Sequence, residues 1–216
     1  MIVAPALLLT AFMSMMSRSD AQGLRRRDVM WISLDERIVE HVQVTESAVG
    51  FTADGVILRP GSPVAQRIRY RVEGDARWNL RRVSVEQMDG TSPPLVLASD
   101  GAGHWKDGDG AARPDLDGCR DIDIQASPFT NTLAIRRLRL AAGESAEIRV
   151  AYITVPELDV RAFHQRYTHL HADGAGATYR YESLESDFRA DLPVDADGLL
   201  LEYPGYFRRA RSAARP

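Results

Sequence analysis

Asp117, Asp121 and Asp123 crowd one short stretch, Leu116 to Leu138 (LDGCRDIDIQASPFTNTLAIRRL). Carboxylates so close together could do acid–base work or hold a divalent cation. Read with period two, Asp117, Cys119, Asp121, Asp123 and Gln125 share one strand face, and Ile122 and Ile124 share the other. The same spacing also describes a solvated strand face beside a turn aspartate. His169 and His171 lie two apart on a strand and would share a face, as a zinc pair does, but His164 falls on the opposite face and supplies no third ligand. Cys119 is the only cysteine, so no internal disulfide can form, and a lone strand cysteine reads as a small buried residue. Lys106 is the only lysine, and its setting GHWKDGDG suits neither a Schiff base nor a phosphate loop. Asp107 to Gly110 is a hairpin turn without the ligand spacing of a calcium loop. No catalytic residue, metal ligand or cofactor is assigned from these motifs.

A Tyr/Arg-rich zone remains: Tyr167, Tyr179 and Tyr181 with Arg166 and Arg180. Tyrosines at i and i+2 put two rings on one sheet face, either as plain core or as a wall suited to an amphiphile or a sugar.

The elements that must position these groups read as strands. Gln66–Val72 alternates Ile68, Tyr70 and Val72 inward with Arg67, Arg69 and Arg71 outward, and Leu80–Gln87 repeats the pattern. Leu95–Ser99 and His104–Lys106 form a hairpin about Asp100-Gly101. Gly50–Leu58 carries Asp54-Gly55 as a bulge or turn. A strand is expected from Leu133 through Arg137, after the Ser127-Pro128 break. Ala146–Val155 becomes continuously apolar, as if covered on both faces. His164–His171, Thr178–Ser183, Phe188–Leu192 and Leu199–Tyr203 complete the series, and only Leu158–Gln165 and the arginine-rich tail carry a helical period. Turn signals every ~8–15 residues fit an all-β barrel, roll or sandwich in one domain. With 27 basic against 30 acidic residues and a net charge of −3, no basic field invites nucleic acid.

Ile2 to Met16 is apolar, with Ser19 and Ala21 as a weak cleavage site, but no positive charge precedes it and Arg25–Arg27 follow it. The expected readings are a start placed upstream of the true one, then a signal peptide, then a membrane anchor, for which the run is short. The expected division is an N-terminal extension over 1–29, a β domain over 30–210 and a tail over 211–216. The expected location is cytoplasmic, or exported to the periplasm if residues 1–21 act as a signal, with no stable transmembrane anchor.

LDGCRDIDIQASPFTNTLAIRRL, VAYITVP (150–156), QRYT (165–168), YRYES (179–183) and VDADGLLLEYPGYFRR (194–209), together with Met30-Trp31 and Leu34-Asp35, closely resemble a bacterial family described as "putative glycolipid-binding". The resemblance covers about Trp31 to Arg209. It implies a single-domain, many-stranded spiral β-roll, barrel-like, around an apolar internal cavity, and a non-catalytic partner role toward a glycolipid or other amphiphile. No catalytic residues come with it. The polar groups expected to orient such a ligand are Asp121, Asp123, Asn131 and Arg136, with Arg166, Tyr167, Tyr179 and Tyr181. Two alternatives stay open: a hydrolase or isomerase of a sugar derivative using the aspartate cluster, and a β-sheet module pairing through exposed edges. A cleft with two carboxylates about 5–10 Å apart would favour the hydrolase.

Overall fold

The computed structural model describes residues 23–60, 64–90 and 92–210. Alternation organises the first half of the chain. Seven strands run as a meander: β1 (Arg25–Ser33), β2 (Val39–Glu46), β3 (Gly50–Arg59), β4 (Gln66–Asp75), β5 (Leu80–Gln87), β6 (Leu95–Ser99) and β7 (Trp105–Asp107). On β4, Ile68, Tyr70 and Val72 are buried while Arg67, Arg69 and Arg71 are exposed, the face assignment that the period-two pattern dictates. The C-terminal strands β13 (Glu202–Tyr203) and β14 (Phe207–Arg209) return to pair beside β1, which completes a nine-stranded antiparallel sheet.

The second sheet has five strands: β8 (Cys119–Ile124), β9 (Ser145–Ile153), β10 (Val160–Ala172), β11 (Gly176–Ser183) and β12 (Arg189–Asp195). Only β8 and β9 pair in parallel, so the chain between them must cross over, and it does so through a helix, α1 (Thr130–Leu138). Parallel pairs need cover on both faces, and β8 shows it: Cys119, Asp121, Ile122 and Ile124 are all buried. The two sheets do not close into a barrel.

The segment from Leu133 is therefore helix, not strand. Thr130 through Ile135 are all buried, so α1 shows no clean polar stripe for a sequence pattern to reveal. Phe129, just before α1, stacks on Tyr70 of β4 at 6.2 Å, and Asn131 accepts from Tyr167 of β10 at 2.8 Å, so α1 lies between the sheets. It packs into the common core of the two sheets. Arg139 ends it in the left-handed region at φ 49°, and Arg136 and Arg137 sit where the helix dipole favours cations.

Three further expectations change. Asp54-Gly55 is neither bulge nor turn but lies mid-strand in β3, with Gly55 opposite Tyr70. The Tyr70 ring covers that glycine so closely that a Cβ there would stand 2.0 Å from Cζ. Leu158–Gln165 is not helical, because β10 begins at Val160. A bulge between His169 and His171 breaks the alternation, so His169 is buried against Tyr179 while His171 is exposed.

One continuous cluster of buried side chains draws on both sheets and α1. Indole N–H groups fasten it: Trp31 donates to the Leu200 carbonyl at 3.0 Å, and Trp105 to the Cys119 carbonyl at 2.7 Å. Cys119 is fully buried, and that burial pushes its thiol up to about 11. β1 begins at Arg25, ahead of the boundary expected at Met30, and Arg25 to Val29 pair with β2. The expectations placed on residues 1–22 and on the tail 211–216 lie outside the described residues. Among the described residues, no helix is long and apolar enough to cross a membrane.

Candidate functional site

A cleft of about 440 Å³ opens at one end of the five-stranded sheet, beside the turn that leads into α1. The register of β8, β9 and β10 builds its floor: Asp123 pairs with Tyr152, and Phe163 follows on β10. Tyr181 and Ser183 come from β11, and Gln125 to Pro128 from the turn before α1. Tyr203 and Tyr206, from the C-terminal return, and Phe188 close the wall.

The wall is aromatic and mutually braced. Tyr203 and Tyr206 lie 5.6 Å apart, Phe188 lies 6.2 and 5.6 Å from them, and Tyr181 stands edge-on to Tyr203 at 6.5 Å. Across the cleft Tyr152 and Phe163 pack at 5.3 Å, and the Arg161 guanidinium sits 4.8 Å over Phe163. Burial pushes the Tyr181 and Tyr203 phenols well above their ordinary range, so both remain neutral donors at physiological pH.

Asp123 is the carboxylate at the floor. Thr130 Oγ1 donates to it at 3.0 Å and Gln165 Nε2 at 2.6 Å. Burial raises its pKa, and these two donors partly oppose the rise. Beside it Asn131 accepts from the Tyr167 hydroxyl and donates to the Pro128 carbonyl at 3.3 Å.

Behind the cleft a second carboxylate sets the turn. Glu40 of β2 is completely buried; it accepts from the Tyr70 hydroxyl at 2.6 Å, from Ser127 Oγ, and from the Phe129 backbone N–H at 3.2 Å. The last bond supplies an acceptor at the N-terminal end of α1, which has no side-chain cap of its own. Burial, only partly offset by these donors, lifts its pKa from 4.5 to about 7.

Of the residues singled out by sequence, the structure brings Asp123, Asn131 and Tyr181 to this cleft, and sets Tyr167 behind Asn131 and edge-on to Tyr181 at 5.5 Å. Asp121 is elsewhere: it is fully buried, and Arg137 of α1 binds both its oxygens, with Nε at 2.9 and 3.1 Å. Arg136 and Tyr179 line a different recess of about 310 Å³. There Arg136 reaches Glu46 and the Asp197 carbonyl and lies 4.4 Å over Trp78. Arg166 points outward, paired with Glu147 and Glu182, because it falls between the inward residues Gln165 and Tyr167. The aspartate cluster does not gather at the cleft: Arg137 binds Asp121, and Asp117 is exposed on a turn, so of the three only Asp123 lines it. Among the described residues, no cluster of three or more His, Cys, Asp or Glu could hold a metal.

Sequence reasoning missed Tyr152, Arg161, Phe163, Phe188, Tyr203 and Tyr206. The one available signal was the aromatic turn Tyr203-Pro204-Gly205-Tyr206-Phe207, rich in rings where turns are ordinarily polar.

A family model described as "Putative glycolipid-binding" matches residues 28–209. The chain is similar to a crystal structure of a DUF1089 family protein from Pseudomonas aeruginosa, at 44% identity and a TM-score of 0.71 over 81% of this chain and 92% of that one. No curated protein matches.

Proposed function

We propose a function from the premise that this chain belongs to the "putative glycolipid-binding" family: it holds the head group of a glycolipid in the aromatic cleft, without catalysis. One observation carries the reading. A cleft of about 440 Å³ joins an aromatic wall to a single lining carboxylate, the half-buried Asp123, while the other carboxylate nearby, Glu40, lies behind the wall and is bonded to Tyr70, Ser127 and Phe129. That volume lies within the ~300–1,000 Å³ of small-molecule sites, and the mix of apolar wall and few convergent polar groups is what such sites share. Sugar rings present one apolar face and a rim of hydroxyls. Phe188, Tyr203 and Tyr206 suit the face, while Asp123, Asn131 and Ser183 suit the rim. Hydrocarbon leaving water adds about 0.8 kcal/mol for each CH₂ buried. The cleft draws its lining from both sheets, Tyr203 and Phe207 from one and Tyr152 and Tyr181 from the other, so the ligand site is the open end of the space between them, beside α1.

Calorimetric titration with octyl glucoside and with octanoate tests this. A hydrogen bond to a charged group is worth about 1.5–3 kcal/mol, so Asp123→Asn should weaken octyl glucoside about tenfold or more and leave octanoate unchanged. Tyr206→Ala should weaken octyl glucoside as well, through the lost wall. Equal affinities for octyl glucoside in parent and Asp123→Asn would remove this carboxylate from the site, and no binding by the parent would end the proposal.

A further inference from the structure

We infer a second, separate ligand site for a phosphate-type oxyanion, in a recess of about 460 Å³ at the C-terminal end of α1, where Arg120, Arg137 and Arg149 converge. The inference is independent of the aromatic cleft, and it starts from charge. Arg137 is neutralised by Asp121. Arg120 and Arg149 have no carboxylate partner among the described residues. Arg120 Nη2 donates to the Asn79 side-chain oxygen at 3.0 Å and to the Gly101 carbonyl at 3.5 Å, and Arg149 Nη1 donates to the Asp117 carbonyl. Two guanidiniums therefore answer only neutral oxygens.

The second observation is an orphan donor. Arg149 Nε is buried and donates to no acceptor. A buried N–H on a charged group ordinarily finds one, since leaving it unmade costs more than an average hydrogen bond contributes. The planar guanidinium matches an oxyanion with two parallel donors, which a halide cannot use.

The opposing charges are few, and the negative C-terminal end of the α1 dipole is answered by Arg136 and Arg137 in its last turn. Glu147 lines the recess but is held by Arg166 at 2.5 Å, and His164 faces Glu185 at 3.5 Å. The Asp117 carboxylate is exposed on the adjoining turn and is not part of the lining. Gly118 forms one wall, with its own Cβ-free surface toward Arg149.

The full chain is titrated with sodium phosphate against sodium chloride at matched ionic strength, following both heat and the thermal midpoint. Phosphate should bind saturably and raise the midpoint, and chloride should not. Arg149→Gln should weaken phosphate about tenfold or more, from the loss of a charge-assisted contact. Arg120→Gln, on an exposed side chain, should weaken it several-fold. Glu147→Gln should strengthen it, an effect that a merely structural role for the arginines does not produce. A parallel arm with glycerol 3-phosphate distinguishes the sources of the shared chemistry. Tighter binding than phosphate means a phosphorylated head group, and equal binding means the free anion; either supports the site. No saturable response to phosphate, or variants that respond as the parent does, overturns it.

Discussion

Raising the pH from about 5 to about 8 should weaken this fold through Glu40, and the size of the loss follows from its burial. The carboxyl is sealed between β2 and the turn before α1, and its pKa is lifted from 4.5 to about 7. Between those values the unfolded chain releases its proton while the folded chain keeps it. The folded state thus binds more protons, and stability falls as pH rises, starting near the unfolded pKa and levelling off above the folded one. At 1.36 kcal/mol per pH unit the lift from 4.5 to about 7 corresponds to a loss of about 3 kcal/mol. For a chain of this length that is roughly 6–12 °C in thermal midpoint. Glu40→Gln separates this effect from the rest. Its side-chain oxygen can still accept from Tyr70 and Ser127, while its amide meets the Phe129 N–H head-on, a cost that does not vary with pH. Asp123, whose pKa is also raised, contributes in the same direction in both proteins and cancels from the comparison. Urea unfolding followed through Trp31, Trp78 and Trp105 gives the two stabilities at each pH. The parent should lose about 2.5 kcal/mol relative to Glu40→Gln between about pH 5 and about pH 8, the first part of the full loss falling below about pH 5. A parent–variant difference that stays constant across that range would refute the reasoning.

Three further outcomes are expected. Arg137→Met should cost about 3–5 kcal/mol in urea unfolding because it strands the Asp121 carboxylate in the interior, and adding Asp121→Leu should recover most of that loss. Gly55→Ala should cost at least about 1–3 kcal/mol by driving a methyl group into the Tyr70 ring. Because Tyr70 holds Glu40, it should also steepen the pH dependence of the thermal midpoint. Trp78→Leu should lower stability by about 1 kcal/mol or more through the loss of its stacking on Phe51 at 4.0 Å and its contact with Arg136, read in the same urea assay.

The strands were legible because one face of each was wet. On β4 and β5 the arginines mark the outside and the aliphatic residues the core, so alternation decides both element and orientation. The hairpin from β6 to β7 was legible for a local reason: Asp100 Oδ1 accepts from three backbone N–H groups, those of Ala102, Gly103 and His104, and the turn closes on itself. The aromatic cleft was not legible. Its rings come from β9, β10, β11, the β11–β12 connection and the C-terminal return, and what assembles them is the placement of β13 and β14 beside β1, a pairing across nearly the whole chain.

The misreading of α1 and the misplacing of Asp121 are one error. Thr130 and Arg137 stand roughly two helical turns apart, so a helix presents both on one face, whereas a strand would send them to opposite faces. On the face that α1 turns toward β8, Thr130 meets Asp123 and Arg137 meets Asp121. The order shows that the helix runs antiparallel to the strand, as a crossover between parallel β8 and β9 must. Two aspartates equivalent by spacing thus receive different fates, a cation for one and neutral donors at a cleft for the other. The helix itself was hidden because an acceptor at its N-terminal end is not local: the Phe129 N–H is answered by Glu40, from another sheet. Period two identifies which side chains share a face of β8. The element laid against that face decides which of them stays free to meet a ligand.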